Sequence, residues 1–409
     1  MSPDHALPGS RALEATLRKI TEGLAKELSC PTQHAPDWSE FEWIVARAVA
    51  AMHGVSPLLS STLRWRGPTG WTAFLEEQQT HTAMRHARIG ALLRRVDDGA
   101  REAGVAAVAL KGAALHAMGL YAVGDRPMAD IDLLVRPADA DNAARMLEAL
   151  GFYESSANWK ERVFTPIESH TPCGFGEHSN NDVKIELHER ICERLPWQIT
   201  DVSEIVFPTA PHPGLNAYPS KASLMTHLLL HAAGSMVIQS LRLLHLHDLA
   251  QLASQMSEED WDAVGISRNR GGGLWWAFPP LNLTSRYFPH KIPARVLEAL
   301  ADDCPFLLKR AFRHRTLYDV SFCYLWVDAF PGIEWSQSFR ETLVYAAFRV
   351  WPDSKHIARR AQIANTEAWS SESQWPRLSQ SRRILRWMIS RPTRPLTVHG
   401  VRAALAQPP

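Results

Sequence analysis

The sequence is poor in cysteine and has no long apolar run. Its 409 residues include five cysteines, and no two of them form a C-x-x-C pair. This spacing argues against a structural zinc site and is typical of a reducing compartment. No apolar segment approaches the ~18 residues that a membrane span needs, and the first residues lack the apolar core of a secretory signal. We therefore expect a cytoplasmic protein.

Two common catalytic signatures are also missing. The sequence contains neither a G-x-S-x-G nucleophile elbow nor a Walker A motif, which excludes the hydrolases and NTPases that depend on them. The glycines Gly271–Gly273 do not follow a predicted strand, as those of a dinucleotide-binding loop would. We expect them to form a loop that precedes a helix.

The net charge of +1 conceals a basic C-terminus. From Lys355 to the end, ten Lys or Arg side chains stand against Glu367 and Glu372, so this tail carries +8 and the rest of the chain −7. Such a tail can fold back on an acidic body, or it can attract phosphates or an anionic surface. Because it contains no recognition motif, we expect no sequence-specific binding of nucleic acid.

Hydrophobic periodicity predicts helices over the first hundred residues. Apolar side chains recur at helical spacing from Ser10 to Ser29. Asp37 and Glu40 have the spacing of a capping box, which predicts a second helix that ends near His53. A third helix, long and polar, is expected over 73–103.

A different pattern begins at Gly104. Short apolar or alternating runs predict four strands, at 105–110, 130–135, 163–165 and 182–188. Two helices are expected between them, at 113–118 and 138–150. Strands separated by helical segments indicate a small mixed sheet.

The chain is predicted to be helical again after Pro196. The expected helices are at 222–235, 241–256, 273–287, 292–301, 306–320, 338–350 and 382–390. We predict a helix-rich α+β fold, in which a small mixed β-sheet core with helices is embedded in N- and C-terminal helical regions. The predicted divisions are an N-terminal helical region over 1–72, an α/β core over 73–195, a helical region over 196–365 that binds the acceptor, and a basic tail over 366–409.

Three acidic residues are expected to share one face of the sheet. Residues two apart on a strand point to the same side, so Asp130 and Asp132 present two carboxylates side by side. Such anions repel each other unless a cation lies between them, and Mg²⁺ prefers oxygen ligands. Glu186 completes an acidic triad if its strand lies beside that of the two aspartates. The alternative is that an Asp-x-Asp pair at the start of a strand only marks a turn.

The order of the motifs resembles that of a known superfamily. The motifs are LKGAALH over Leu110–His116, RPMADIDLLV over Arg126–Val135 and VKIELH over Val183–His188. Together they resemble the nucleotidyltransferase superfamily, whose catalytic core is shared with DNA polymerase beta. They are most similar to an uncharacterised bacterial nucleotidyltransferase family with a Lys-Gly turn, an aspartate-rich strand and a later Glu-Leu-His strand. The resemblance is weaker at Leu241–Asp248 and Trp351–Arg359.

The resemblance implies a metal site and a nucleotide site. Asp130, Asp132 and Glu186 would be the catalytic carboxylates and would bind Mg²⁺, with Mn²⁺ as an alternative. In the nucleotide site, the residues expected to contact the phosphates are Lys111, Gly112 and Arg126. Gly112 would let the backbone approach them, and the two cations would neutralise them. The Gly-Ser that usually follows the first strand of the superfamily is Lys111–Gly112 here, so the serine hydroxyl is absent.

Several histidines are expected near the acceptor. By resemblance, His188 faces the acceptor, and the alternative is that it packs at the end of its strand. His227 and His231 are four residues apart on a predicted helix, so both could meet one zinc ion, with His245, His247 and Asp248 nearby in sequence. His227 is not followed by the glutamate of an H-E-x-x-H motif. We expect His227 and His231 to line an acceptor pocket or to pack between helices.

The resemblance implies a metal-dependent nucleotidyltransferase. An acceptor oxygen or nitrogen would attack the α-phosphate of a nucleoside triphosphate, expected to be ATP, and pyrophosphate would be released. The acceptor would be a small molecule or a peptide. Two alternatives remain open: a phosphotransferase that uses the same metal site to transfer the terminal phosphate, and a nucleotide-binding or regulatory protein that has lost turnover.

Overall fold

The computed structural model describes residues 7–168, 175–196, 198–265, 273–322, 330, 332–354, 358, 378–389 and 395–406. The helices before the sheet are α1 (Ser10–Ser29), α2 (Glu40–Met52), α3 (Ser56–Thr62) and α4 (Thr69–Glu102). The sheet region contains β1 (Ala106–Ala109), α5 (Lys111–Ala117), β2 (Asp130–Val135), α6 (Ala140–Ala149), β3 (Phe152–Ala157), β4 (Glu161–Pro166), β5 (Lys184–His188), β6 (Cys192–Leu195), β7 (Gln198–Asp201), α7 (Ser203–Val206) and β8 (Gly214–Asn216). The later helices are α8 (Lys221–Val237), α9 (Leu243–Ala253), α10 (Glu258–Ala263), α11 (Phe278–Tyr287), α12 (Ala294–Asp303), α13 (Phe306–Phe312), α14 (Phe339–Val350), α15 (Gln380–Ile389) and α16 (Pro395–Leu405).

A mixed six-stranded sheet lies at the centre of the fold, with the strand order β3-β4-β5-β2-β1-β8. β2 runs parallel to β5 and antiparallel to β1, and β3 and β4 extend the sheet beyond β5 in antiparallel fashion. The predicted α+β, helix-rich class is confirmed. The sequence analysis missed β3, β8 and the β6–β7 hairpin, because β8 has three residues and β3 is exposed after Phe152.

The N-terminal helices follow the predicted periodicity. α1 spans Ser10–Ser29 as predicted. The predicted cap of α2 at Asp37 and Glu40 is wrong, because Ser39 and Glu42 form the capping box two residues later. The Ser39 hydroxyl accepts a hydrogen bond from the Glu42 backbone at 3.3 Å, and the Glu42 carboxylate accepts one from the Ser39 backbone at 2.8 Å.

Two predicted helices after the sheet are shorter than expected. In the predicted helix 273–287, the α-helix starts only at Phe278, because Pro279 and Pro280 fit only into a first helical turn. A 3-10 turn precedes it; Gly271 and Gly272, which the sequence analysis placed in a loop, lie outside the described residues. The helix predicted over 306–320 ends at Phe312.

Beyond the end of that second helix, a side chain competes with the backbone for hydrogen bonds. The Asp319 carboxylate accepts hydrogen bonds from the backbone amide of Thr316 at 2.9 Å and from its hydroxyl at 3.1 Å. Such local bonds favour turns over helix. A 3-10 turn over Tyr318–Val320 follows instead.

The two faces of the sheet belong to different hydrophobic clusters. Val108 and Leu134 pack with the N-terminal helices and with α8 and α9, whereas Ala107 and Leu133 pack with α4 and α6. Neighbouring residues of β1 and β2 therefore face opposite clusters, which explains why β1 and the second half of β2, Leu133–Val135, are apolar on both faces. The sheet is fixed between two layers of helices.

The last described helix packs against the N-terminal region. Val401 and Ala404 of α16 are fully buried, and Arg47 of α2 donates a hydrogen bond to the Ala404 carbonyl at 3.5 Å. This end of the basic tail therefore folds back on the body. The stretch 355–377, apart from residue 358, lies outside the described residues.

No single helix of the described residues is both long and apolar enough to cross a membrane. One pair, α2 and α3, passes that test only when the two are joined, and they meet at a bend of 110°.

Candidate active site

The acidic residues meet because β2 and β5 are neighbours in register. Asp132 lies directly opposite Glu186 across the parallel pair, and Asp130 lies one pleat away on the same face. The predicted acidic triad depended on these two strands being neighbours in the sheet. Ligand atoms of Asp132, Glu186 and His188 all lie within 4.8 Å of one another. Among the described residues, these three form the one group whose geometry suits a metal ion, so His188 and not Asp130 joins the other two; a role of Asp130 as a metal ligand stays a prediction.

Two cationic or hydrogen-bonding groups hold the central carboxylate. Lys111 Nζ lies 2.7 Å from Asp132 Oδ1, and His188 Nε2 lies 3.0 Å from the same oxygen. Asp132 and His188 are buried, and Glu186 is partly exposed toward the cavity. His188 therefore lies beside the carboxylates, at 3.8 Å from Glu186 Oε2. Its predicted position facing the acceptor stays a prediction.

The pKa values of the three carboxylates diverge. Burial and the neighbouring Asp132 and Asp130 raise the pKa of Glu186 to about 8. Burial and Asp132 also raise the pKa of Asp130. For Asp132, the effect of burial is outweighed by Lys111 and His188, which hold its pKa well below the usual range. Crowded carboxylates of this kind provide a site at which a divalent cation would neutralise the negative charge.

The turn between β1 and α5 presents Lys111 in a strained conformation. Lys111 has φ of +46°, in the left-handed region that a residue with a Cβ rarely adopts. Strain of this kind is commonly found at functional sites. At Gly112, a Cβ would lie 2.8 Å from Met128 Sδ and would also collide with Arg126 Nη1. Glycine is therefore required here by the close approach of two side chains.

Arg126 is held by a buried carboxylate from a distant helix. Its Nε and Nη2 donate to the two carboxylate oxygens of Asp248, each at 2.8 Å. Tyr121 donates to Asp248 Oδ1 at 2.7 Å and contacts His247 Nδ1 at 2.9 Å. Two parallel bonds fix the plane of a guanidinium. The structure thus orients Arg126 against the Lys111–Gly112 turn; its contact with phosphate stays a prediction.

The two histidines of α8 line the space beside the carboxylates. The ring of His227 is buried, and its Nδ1 contacts the Tyr218 hydroxyl at 2.7 Å. The ring of His231 packs edge-on against His245, with centroids 4.9 Å apart. Burial keeps the pKa values of His227 and His231 well below normal. Of the four histidines weighed for zinc, none belongs to a group with metal-binding geometry within the described part of the chain.

Two cavities adjoin the carboxylates. The larger, of about 500 Å³, is lined by Lys111, Gly112, Arg126, Asp130, Asp132 and Glu186, among others. The smaller, of about 140 Å³, is lined by His188, His227 and Cys192. Glu186 and His231 line both cavities. Glu186 therefore lies between a space large enough for a nucleotide and a smaller one, whereas Asp130 and Asp132 line only the larger of the two.

The sequence analysis missed three polar partners of this site. Asp248 and Tyr121 hold Arg126, and Tyr218 lies between His227 and the Lys111 backbone. The sequence analysis considered Asp248 only as a residue near a possible zinc site, not as the partner of Arg126. Nothing in the local sequence indicates the other contacts, because they join elements far apart in the chain.

No curated protein and no solved structure matches the chain. A family described as an uncharacterised nucleotidyltransferase matches over residues 39–277. This match spans α2 through the 3-10 turn before α11, and so it includes every residue of the acidic group and both cavities' polar walls. Since the matched segment is more than half of the chain, the protein belongs to this family of uncharacterised nucleotidyltransferases.

Proposed function

We propose that this protein transfers a nucleoside monophosphate from a nucleoside triphosphate, with ATP as the expected donor, to an acceptor, and releases pyrophosphate. One observation carries the proposal: Asp132 and Glu186 face each other in register on parallel strands, with Asp130 beside them, at the wall of a cavity of about 500 Å³. The membership of the family supports the same reaction class.

The carboxylates suit a divalent cation. Asp130, Asp132 and Glu186 would hold Mg²⁺ through oxygen ligands, and the imidazole of His188 adds a ligand that Mn²⁺ accepts more readily. Burial and the neighbouring carboxylates raise the pKa values of Glu186 and Asp130, and a bound cation would offset both effects. A bound cation would neutralise the charge that develops on the transferred phosphate.

The residues of this chain position and neutralise the donor. Lys111 is poised at the wall of the cavity, where its ammonium pairs with Asp132 and can turn toward a phosphate. In the transfer, the acceptor oxygen or nitrogen forms a bond to the α-phosphorus as the bond to the bridging oxygen breaks. Pyrophosphate leaves with that oxygen, and a carboxylate of the acidic group takes the acceptor proton.

The smaller cavity is proposed to receive the acceptor. It has a volume of about 140 Å³, and His188, His227 and His231 are among its lining residues. A space of this size admits the reactive end of a small molecule or of a peptide side chain, with the nucleotide in the larger cavity. Neutral imidazoles, which burial favours at His227 and His231, can donate or accept one hydrogen bond on each nitrogen.

Labelled nucleotides test the reaction. The purified protein is incubated with Mg²⁺, a cell extract and each nucleoside triphosphate, labelled in parallel at the α- or the γ-phosphate. Transfer of the α-label to a product, together with release of labelled pyrophosphate from the γ-labelled donor, supports nucleotidyl transfer. Transfer of the γ-label alone identifies a phosphotransferase. The control is the Asp132→Asn variant. If the wild type transfers no more label than this variant, the protein has no turnover and the proposed reaction is wrong.

A further inference from the structure

Four cationic side chains line the larger cavity, and three of them are paired with carboxylates. Lys111 pairs with Asp132 and Arg126 with Asp248. The third pair joins Lys160 to Glu193 at 2.6 Å. The fourth cation is Arg242, whose side chain has neither a hydrogen bond nor an ion pair with any residue that the structure describes.

Arg242 is held at its place by its backbone and not by its side chain. It is the residue that precedes α9, and its backbone amide donates to His245 Nδ1 at 3.3 Å. The neighbours Leu241 and Leu243 are buried, whereas Arg242 itself is exposed. The start of α9 is therefore anchored in the core, and Arg242 lines the cavity beside it.

The charge of Arg242 reaches the acidic group. Burial and Asp132 raise the pKa of Asp130, and Lys111 and Arg242 are the two largest opposing influences. Burial and Arg242 likewise lower the pKa of His245, to about 3. The guanidinium thus acts on the same space as the carboxylates, from the side of α9 and not from the β1–α5 turn.

We infer that Arg242 binds the polyphosphate chain of the nucleotide, and that it holds the pyrophosphate that leaves. A triphosphate is the polyanion that the proposed function brings into this cavity, and a guanidinium can bind two phosphate oxygens at once. Arg126 is committed to Asp248 through two of its nitrogens, so it serves to position the turn while Arg242 remains available to the ligand. This inference rests on the proposed function.

Binding measurements separate the phosphate chain from the rest of the nucleotide. By calorimetry, the wild type, Arg242→Met and Arg242→Lys are titrated with α,β-methylene-ATP, which cannot be cleaved at the reacting bond, and with AMP, both in Mg²⁺. We expect Arg242→Met to bind the triphosphate analogue at least about 10-fold more weakly, Arg242→Lys to lie between, and AMP to bind all three equally. Arg66→Met removes a matched exposed arginine away from the cavity and should change neither affinity.

The outcomes distinguish the two hypotheses. If the wild type binds the analogue in a manner that depends on Mg²⁺ and Asp132, but Arg242→Met binds it equally well, the role of Arg242 is wrong and the proposed function stands. An equal loss for AMP and for the analogue also overturns the inference, because Arg242 would then act on the shared part of the ligand. If the wild type binds no triphosphate with Mg²⁺ or Mn²⁺, both proposals fall. Since Arg242 is exposed, its variants should melt at the wild-type temperature.

Discussion

Asp130 and Asp132 lie on one face of one strand, yet their surroundings differ. Asp132 has an ammonium at 2.7 Å and an imidazole at 3.0 Å, whereas Asp130 is influenced chiefly by burial and by the charge of Asp132. Although both residues are aspartates, their substitution should therefore affect the stability of the protein differently. The same substitution at the two positions should separate catalysis from folding.

We expect both Asp130→Asn and Asp132→Asn to lower transfer activity by at least about 10²-fold, or roughly 2.7 kcal/mol. The stability of the metal-free protein should differ between the two variants. Asp130→Asn removes a repelled charge and should leave the melting temperature equal or higher. Asp132→Asn leaves Lys111 without its partner and should cost about 2 kcal/mol of unfolding free energy. Activity assays and chemical denaturation with a chelator measure the two effects.

A matched control for that pair is Asp98→Asn, since Asp98 is exposed on α4. It should change neither activity nor stability. A loss of stability in Asp130→Asn equal to that in Asp132→Asn would instead support the turn-marking role of the Asp-x-Asp pair.

The raised pKa of Glu186 predicts that the stability of the metal-free protein depends on pH. Its folded pKa of about 8 lies above the ordinary value of 4.5, so folding favours the protonated form. This contribution to stability is fully present below pH 4.5 and is lost as the pH rises through 8. Denaturation of wild type and Glu186→Gln in chelator should therefore show the wild type losing stability relative to the variant between pH 5 and 8. A difference that stays constant with pH would contradict the assignment.

At the scale of the element, the β1–α5 turn positions two cationic side chains, those of Lys111 and Arg126, beside the sheet. Gly112 allows Arg126 and Met128 to lie against the backbone, while Lys111 takes the left-handed conformation beside it. One turn thereby sets the position of an ammonium and of a guanidinium. The glycine has a packing role that exists whether or not a nucleotide is bound.

We expect Gly112→Ala to destabilise the protein by about 1–3 kcal/mol, because the new methyl group overlaps Met128 and Arg126. Gly90→Ala in α4 is the matched control: its Cβ would meet only Arg94 Nη1, at 3.9 Å. Alanine is the better helix former, so this control should gain up to about 1 kcal/mol. Urea denaturation measures both. Equal stability of Gly112→Ala and wild type would contradict the packing role.

At the scale of the whole molecule, the two ends of the chain share a core. The cluster that contains α1 and α2 also contains Val401 and Ala404 of the last described helix. Met52, at the end of α2, packs beside Gly400 and also lines the larger cavity. The basic tail is therefore connected to the site through packing.

We expect Val401→Ala to lower the free energy of unfolding by about 1–3 kcal/mol, because it leaves a cavity in a fully buried position. Leu385→Ala in α15, at an exposed leucine, should change stability by less than about 0.5 kcal/mol. Thermal and chemical denaturation measure both variants. A separate, early transition in Val401→Ala, with the main one unchanged, would show that the last helix is not part of the common core.

The sequence by itself determined the strands that carry the chemistry and the face to which their carboxylates point. Alternation has a period of two, so Asp130 and Asp132 had to share a face, and the order of motifs was enough to predict the family that was then confirmed. The amphipathic pattern of α1 similarly fixed both of its ends. These features depend on neighbours within a few residues.

Only the tertiary structure decided which charges meet. Arg126 and Asp248 are 122 residues apart, and Lys111 and Asp132 are 21 apart on different elements. Periodicity describes the faces of one element, whereas an ion pair depends on how two elements pack and on which charges burial removes from water. The same reason explains why the sequence alone assigned Arg242 no role. Only the packing of the elements shows that, among the described residues, it is the unpaired cation of the cavity.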